Sequence, residues 1–586
     1  MNTQEMNIIQ CLAQRPYVNQ RELAADCGCS LGMINRCLKS LQGMDLLNSR
    51  MELTEKAKAM ASAGSPRRAV ILAAGFGMRM VPINMEQPKA LIRVRGEVLI
   101  ERLIRQLQAA GIHEIYVVVG FMKEKFEYLI DAFGVRLVVN KDYASTNNLH
   151  SLSLVKDKLS NAYILPCDIW CSENPFSSAE LYSWYMVKSS ESCASEVRIN
   201  RRQELVRIEK GKPGNPMVGV SYLTGQDAER LKRKIEVLSQ NSLYDQAFWE
   251  EVLYEKGKMS VFARVIAPDQ ALEINTYEQL RELDHNSKQL QHKAIAVACQ
   301  ALQAQPEEIQ NITVLKKGMT NRSFLFTCRE RKYIMRIPGE GTDQLINRWE
   351  EASVYDVIRE KKLCDDIIHI DPGNGYKITR FIDGARCCDP ENDQDLVSCM
   401  AFLRAFHERK LKVKHCFDVF SKIEFYEDLW NGQPSAYCDY ESVKQQVYSL
   451  RPFIDAHAGE PFLTHVDAVP DNFLLFEDAD GEKKIRLIDW EYAAMQDPHL
   501  DIAMFSIYAL YEKDQVDHLI DIYFENQCPP ETRIKIYCYV AACGLLWSNW
   551  CEYKRNLGVE FGEYSLRQYR YAKEFYRYAV SGMQAL

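Results

Sequence analysis

At 586 residues, with 47% hydrophobic and 26% charged side chains, the chain is too long for one hydrophobic core and too apolar for a disordered polymer, so two to four globular domains are expected. No run approaches the roughly 18 uninterrupted apolar residues of a membrane span, and a formal net charge of −8 excludes a chain that coats nucleic acid or anionic lipid along its whole length. The opening MNTQEMNIIQ lacks a basic segment followed by an apolar core, which predicts a cytoplasmic protein, and the 19 cysteines are dispersed, the pairs Cys27/Cys29 and Cys387/Cys388 having no matching Cys or His cluster, so reduced thiols are expected rather than disulfides or zinc.

Residues 1–66 read as short helices with tight breaks, EMNIIQCLAQ, NQRELAADCG and SLGMINRCLKSLQGMDLL, followed by LTEKAKAMA. Asn19 and Ser30 stand where N-caps of the second and third helices belong. The order resembles a winged helix, with 30–44 as the recognition-type helix and 46–54 as the wing. Arg36, Lys39 and Arg50 are few positive charges for a DNA face, so DNA contact and a regulatory or dimerising role both stay open. ASAGSPRR reads as a linker.

From 67 to about 286 strands and helices alternate. AVILAAG, EIYVVVG and VRLVVN are strands, while VLIERLIRQLQAAG and KEKFEYLIDAFG are helices, which predicts a parallel, doubly wound α/β sheet of Rossmann-like type. NSKQLQHKAIAVACQALQAQ leads out as a polar helix. From 296 to 586 the pattern changes to a hairpin (ITVLKKGMTNRSFLFTC, KYIMRIP), a helix with RWEEASVYDVI, an edge strand YKITRFI, and then mostly helices. That order predicts an α+β fold with a small sheet lobe and a larger helical lobe.

In LAAGFGMR, a glycine loop between strand and helix, Gly75 and Gly77 let backbone N–H groups approach an anion. The wider run Gly75, Gly77, Arg79, Pro82, Pro88, Lys89 has the spacing GxGxRxxPxxxxxPK. With VVNKDYASTNNLHSL, YILPCDIW and FWEEV, the segment resembles the bacterial nucleotidyltransferases, and within them the CTP:phosphocholine cytidylyltransferase branch. The resemblance implies CTP contacts from Leu72, Ala73, Ala74, Gly75, Gly77 and Asn147, phosphate contacts and catalysis from Arg79 and Lys89, and Mg²⁺ on Asp168. Attack of a phosphomonoester on the α-phosphorus brings two anions together, and such a clamp offsets their repulsion. The family's second metal-binding aspartate falls where ALEINTYEQL has Asn275, an amide that can coordinate Mg²⁺ but neutralises none of its charge. Weaker metal binding, a substitute carboxylate and a less active domain all remain open. For Trp170, Tyr222 and Trp249 core packing is the first expectation, and a choline cage the second.

HVDAVPDN supplies Asp467 and Asn472 in an HxDxxxxN pattern, and LIDWEY supplies Asp489. Phosphoryl transfer needs a carboxylate to take the proton of the attacking hydroxyl, and an amide and second carboxylate to hold Mg²⁺. His465 is expected to brace the loop. This half resembles the choline and ethanolamine kinases, in their bacterial choline kinase branch. The resemblance implies nucleotide contacts from Thr320 and Asn321 in KKGMTNRSFLF, and Arg336 of KYIMRIP in place of a kinase lysine, paired with Glu351 or Glu350. A quaternary ammonium offers no N–H donors, so its site needs aromatic faces and a carboxylate. Glu491, Tyr492, Trp547 and Trp550 are the expected cage.

Together these imply a bifunctional enzyme: choline and ATP give phosphocholine, which CTP converts to CDP-choline for decoration of a bacterial surface polymer. A choline-metabolite-sensing regulator is the rival reading. Ethanolamine or aminoethylphosphonate is the alternative substrate. Oligomeric state is not legible.

Overall fold

The computed structural model describes Met1 to Leu586 except residues 78–79, 84–86, 286, 288–289, 316–320, 340–344, 479 and 557–560. Two compact units emerge, Met1–Ala296 with Asn311–Val314, and Val297–Gln310 with Leu315–Leu586. No helix among the described residues is long and apolar enough to cross a membrane.

The first unit opens with helices α1 (Thr3–Gln14), α2 (Gln20–Asp26), α3 (Leu31–Gly43) and α4 (Glu55–Ala63). The expected caps form: the Asn19 side chain accepts from the backbone N–H of Arg21 and Glu22, and Ser30 from that of Met33. Ile8, Ile9, Leu23, Ile34, Leu38 and Leu41 fill the core between these helices, and an antiparallel bridge between Leu47 and Leu53 makes a minimal wing.

The segment ASAGSPRR does not behave as a loose linker. Ala61–Ala63 complete α4 and Arg68 begins a strand. The short remainder is tied down: Tyr222 Oη donates to Gly64 O at 2.7 Å, and Arg67 N to Asn161 O at 2.9 Å. Gly64 is required sterically, because a Cβ there would lie 2.0 Å from the Glu180 carbonyl oxygen. Small residues suggested flexibility; here smallness serves close packing.

Glu180 anchors this seam. Fully buried, its carboxylate accepts from both terminal nitrogens of Arg264 (2.8 and 2.7 Å), from Tyr163 Oη (2.8 Å), from Trp184 Nε1 (2.9 Å) and from Gln10 Nε2 of α1. Tyr182 Oη adds a bond to Asn7 Oδ1 at 2.7 Å. Glu180→Ala would leave the Arg264 guanidinium without its counter-charge, a loss of roughly 3–5 kcal/mol for a buried pair broken on one side. Chemical unfolding of the variant is expected to show the first unit destabilised by that order, and an unchanged midpoint would deny the anchor.

The central sheet of this unit has ten strands. In chain order they include β1 (Arg68–Ala73), β2 (Glu114–Val119), β3 (Arg136–Val139), β4 (Ala162–Pro166), β5 (Trp184–Lys188), β6 (Val197–Ile199), β7 (Glu204–Arg207), β8 (Met217–Leu223) and β9 (Lys258–Ile266); Tyr254–Glu255 pairs alongside β9. Spatially they run β3-β2-β1-β4-β8-β5-β9-β7-β6. The first four are parallel, with Ile71 between Val117 and Leu165. Beyond them the sheet is mixed: β5 and β9 pair parallel, whereas β8 is antiparallel to both β4 and β5, and β7 to both β9 and β6. The reason is connectivity: β5 to β8 follow one another with no helix between them, and parallel neighbours need a long crossover. The expected helix KEKFEYLIDAFG is likewise broken into a 3₁₀ turn, Lys123–Phe126, and a short helix, Tyr128–Phe133, closed by Gly134 at φ +69°.

In the second unit, β10 (Asn321–Cys328) pairs antiparallel with β11 (Arg331–Pro338), with Phe324 opposite Met335. Strand β13 (Lys377–Arg380) pairs with β11 on one side and with β12 (Ile367–Ile370) on the other, so YKITRFI is interior and not the expected edge. Four half-buried residues in IIHI gave no alternation by which β12 could be read. Helix α5 (Arg348–Ile358) starts at an Asn347 cap. The helical lobe is built around α6 (His499–Tyr508), α7 (Pro530–Asn556) and α8 (Glu563–Ala585), whose inner faces supply Phe505, Val540, Leu545, Tyr571 and Phe575 to one large core.

Candidate active sites

The first centre lies past the carboxyl ends of β1 and β4, where a parallel sheet leaves its crevice. Leu72 and Ala73 finish β1, and Ala74, Gly75 and Gly77 form the turn that follows. Gly77 adopts φ +61°, and a Cβ on it would sit 3.0 Å from Lys89 Cβ, so the loop can close over Lys89 only with glycine there. Lys89 is 9% exposed. Its ammonium pairs with the Asp168 carboxylate and donates to Asn275 Oδ1 at 2.6 Å. Ile274 N donates to Asp168 O at 2.9 Å, which brings the Asn275 strand end against Asp168 across more than a hundred residues of sequence.

Asp168 Oδ1 is buried and, among the described residues, accepts no hydrogen bond. An orphaned carboxylate oxygen beside an amide oxygen suits a divalent cation, so Asp168 and Asn275 fit a metal site. Arg79 lies outside the described residues. Asn147 caps the helix Asn148–Ser153 through its side chain and donates to Gln246 O at 3.1 Å, so its amide is engaged by protein.

The aromatics divide. Tyr222 and Trp249 are core residues, 0% and 1% exposed. Trp170 lies two residues beyond Asp168 and is flanked by the guanidinium groups of Arg95 and Arg102, 4.5 and 5.0 Å from its ring centroids. Reading single residues missed Glu250. Its Oε1 accepts from Tyr185 Oη at 2.8 Å, its Oε2 is buried with no partner among the described residues, and burial pushes its carboxyl up to about 7. The signal was the FWEEV turn, Trp249–Leu253, which turns Glu250 inward.

The second centre is set by a hairpin. Phe473–Glu477 pairs with Lys483–Leu487, Phe473 opposite Leu487, and Ile488 N donates to Asn472 O at 2.9 Å, which places Asn472 and Asp489 side by side at the hairpin's open end. Asn472 Nδ2 donates to Asp467 O at 2.9 Å and Oδ2 at 3.2 Å, joining the third residue. His465 is fully buried and hydrogen-bonds Ile488 O through Nε2 at 3.0 Å; burial holds it down to about 4, so it is a neutral brace as expected.

Asp501 escaped notice in the sequence. Buried at the start of α6, it accepts from the backbone N–H of His465 (3.0 Å) and Val466 (2.7 Å) and bonds His407 Nε2 (3.0 Å). It thereby fixes the loop on which Val466 adopts φ +68° and from which Asp467 projects. Its cue was a lone acid opening the apolar run LDIAMF.

Arg336 on β11 makes a two-pronged pair with Glu351 of α5, its Nη2 at 2.8 Å from Oε2, while Glu350 is exposed and takes no part. Burial would raise the Glu351 carboxyl, but Arg336, Lys377 and Arg348 hold it down to about 2. Arg348, unforeseen, bonds Glu351 Oε2 at 2.9 Å, Glu491 Oε2 at 3.1 Å and Asn321 Oδ1 at 3.0 Å. Asn321 Nδ2 in turn donates to Glu491 Oε2 at 2.7 Å. Glu491 is thus held by the Arg348 and Asn321 network while its charge also reaches the phenols of Tyr426 and Tyr492, and the Asn321 side chain bonds Glu491 and Arg348. Thr320 lies outside the described residues.

The aromatics expected to form a cage pack together on the helical core, with Phe561, Tyr564 and Tyr508 alongside. Tyr492, Trp547, Trp550 and Phe561 follow one another at ring distances of 6.2, 5.3 and 5.0 Å, and Phe561, Tyr564 and Tyr508 continue at 6.4 Å steps. Burial raises the phenols of Tyr426, Tyr492, Tyr508 and Tyr564, and the Asp467 charge adds to each. Asp467 itself is pushed well above the carboxylate range by burial and then by Asp489 and Glu491. Crowded carboxylates of this kind call for a cation, and Asn472 with Asp489 fits a divalent one.

Comparison with known proteins matches three stretches of the chain to families. Residues 312–542 match the family described as choline/ethanolamine kinase, residues 69–204 the MobA-like NTP transferase domain, and residues 1–47 the winged helix-turn-helix DNA-binding family. A choline-phosphate cytidylyltransferase of Streptococcus pneumoniae is 32% identical over 223 residues, 37% of this chain and 96% of that protein. A 2-aminoethylphosphonate cytidylyltransferase of Lancefieldella rimae is 31% identical over 225 residues, 37% of this chain and 92% of that one. The protein LicA of Haemophilus influenzae is 26% identical over 275 residues, 43% of this chain and 96% of LicA. The chain belongs to the nucleotidyltransferase family of these cytidylyltransferases, and fuses that domain to a winged helix before it and a choline/ethanolamine kinase domain after it.

Proposed function

We propose that the protein makes CDP-choline in two steps, phosphorylating choline with ATP and then joining phosphocholine to CTP with release of pyrophosphate, in the cytoplasm, where both nucleotides are found. The single observation that carries this reading is the coexistence of two separately built phosphate centres, Lys89 with Asp168 and Asn275, and Asp467 with Asn472 and Asp489. A winged helix over 1–66, a transferase over 67–286 and a kinase over 296–586 divide the work.

In the kinase, Asp467 accepts the proton of the choline hydroxyl, Asn472 and Asp489 hold Mg²⁺, and the Arg336 guanidinium, aligned by Glu351, neutralises phosphate charge. Magnesium, when bound, offsets the charge of the leaving phosphates. The aromatic chain from Tyr492 to Tyr508 receives the trimethylammonium group, which can only be held by faces and by nearby negative charge. Trp547→Ala is expected to raise KM for choline by about 5–30-fold, equivalent to ~1–2 kcal/mol of cation–π attraction, with less effect on kcat; steady-state kinetics with choline and ethanolamine would test this, and equal losses on both would argue against an aromatic cage for the quaternary group.

In the transferase, Lys89 steadies the phosphates of CTP, Asp168 and Asn275 hold Mg²⁺, and Glu250 supplies a buried carboxylate opposite the substrate's ammonium. Asn275→Asp should lower the half-saturating Mg²⁺ concentration, by about tenfold for ~1.4 kcal/mol of added attraction. A magnesium titration of cytidylyl transfer reads this, and unchanged dependence would remove Asn275 from the metal site.

Incubation of the protein with choline, ATP, CTP and Mg²⁺, followed by mass spectrometry, should show phosphocholine and then CDP-choline; absence of both would refute the proposal. Ethanolamine and aminoethylphosphonate, added in competition, decide the substrate. The product would serve decoration of a bacterial surface polymer. The exposed Asn35, Arg36 and Lys39 of α3 leave DNA contact open to the N-terminal domain. A pure regulator is disfavoured, because a sensor has no use for a base beside a complete metal pair.

A further inference from the structure

The sequence offered Cys27 and Cys29 no partner, but the fold supplies one. Cys11 on α1 and Cys27, which ends α2, bring their sulfurs to 3.5 Å, with the Cys27 S–H donating to Cys11. Cys29, across Gly28 at φ +58°, turns its thiol to Cys27 O at 3.3 Å instead. Cys27 to Cys29 are the turn between α2 and α3, which sets the angle of the helix-turn-helix. Cys11 directly follows Gln10, the α1 residue bonded to Glu180 of the transferase. All three sulfurs belong to half-buried residues, so small oxidants can reach them.

We propose that Cys11 and Cys27 form a peroxide-oxidisable dithiol that can fasten the transferase-docked helix α1 to the turn of the helix-turn-helix. The Cys11 thiolate attacks the peroxide O–O bond, giving Cys11–SOH and releasing the other oxygen as hydroxide or alkoxide. The Cys27 sulfur then attacks the sulfenic sulfur, its proton leaves with the hydroxyl as water, and the S–S bond forms. Two sulfurs are oxidised by one electron each, and one peroxide is reduced by two.

The surroundings favour Cys11 as the attacking sulfur. The hydrogen bond from Cys27 outweighs burial and, with Tyr17 and Arg15 helping against the Asp26 charge, draws Cys11 down to about 7. Asp26 is itself occupied by Tyr17 Oη at 2.8 Å and Arg15 Nη2 at 2.7 Å. Near neutral pH such a thiol holds roughly tenfold more thiolate than one at the ordinary pKa of about 8.5. Cys27 is pushed up, first by the same hydrogen bond and then by burial, which suits the partner that keeps its proton until the second step.

The test uses reduced full-length protein, hydrogen peroxide in slight excess, rapid alkylation and non-reducing peptide mapping. Expected is a Cys11–Cys27 linked peptide, reversed by dithiothreitol and formed roughly tenfold faster than oxidation of the exposed Cys193, Cys416 and Cys438. Cys27→Ser should leave Cys11 as a sulfenic acid that dimedone traps, and Cys11→Ser should abolish the link. Oxidation of Cys11 no faster than at the exposed cysteines, or a link from either residue to a different cysteine, would overturn the proposal. Because the wild-type map needs no variant, a misfolded mutant does not blur the result.

Discussion

Asp467→Ala will stop the formation of phosphocholine from choline and ATP while CDP-choline still forms from supplied phosphocholine and CTP. The loss is set by the role proposed for the carboxylate, since a positioned base contributes about 10²–10⁴-fold. Asp467→Asn should lose activity to the same extent without loss of stability. The native carboxylate is half-buried and repelled by Asp489 and Glu491, so an uncharged amide relieves a strain that the wild type keeps for function. Product analysis of the two half-reactions, together with thermal unfolding, checks both statements. Retention of more than a tenth of kinase activity in the alanine variant would assign the base elsewhere.

Lys89→Ala will have the converse effect, abolishing cytidylyl transfer and sparing the kinase. Two losses combine. The reaction loses the cation that steadies phosphate charge, a contribution of about 10²–10³-fold for one preorganised donor. Asp168 loses its only ion-pair partner among the described residues, and with it the bridge through Lys89 to Asn275. Lys89→Arg is expected to rescue little, since the Lys89 ammonium meets Asp168 and Asn275 as one compact charge, which a longer, planar guanidinium does not reproduce. Transfer to supplied phosphocholine is the readout, and undiminished kinase activity in the same sample shows the protein is folded.

The fusion offers the kinase and the transferase in equal number on one chain, with the product of one as the substrate of the other. That raises the concentration of the intermediate near its second site only modestly, through tethering. Measuring whether labelled phosphocholine made in place competes with phosphocholine from solution would quantify it.

Short-range chemistry was what the linear chain settled. Glycine spacing after β1, the trio Asp467, Asn472 and Asp489, the Arg336 pairing with Glu351 and the Asn19 and Ser30 caps depend on neighbours a few residues away or on a family pattern, and each stands where it was expected. Contacts between distant segments were decided by tertiary structure alone, because hydrophobic periodicity reports which face is buried and not what lies against it. So Glu491 turned to Arg348 and Asn321, Asp501 came to hold the Asp467 loop, β8 returned antiparallel beside β4, Gly64 became a packing contact under Glu180, and Cys11 met Cys27. For Glu491 and Asp501 a buried polar group found its partner on another element, since burial without one costs too much free energy for a folded chain to tolerate.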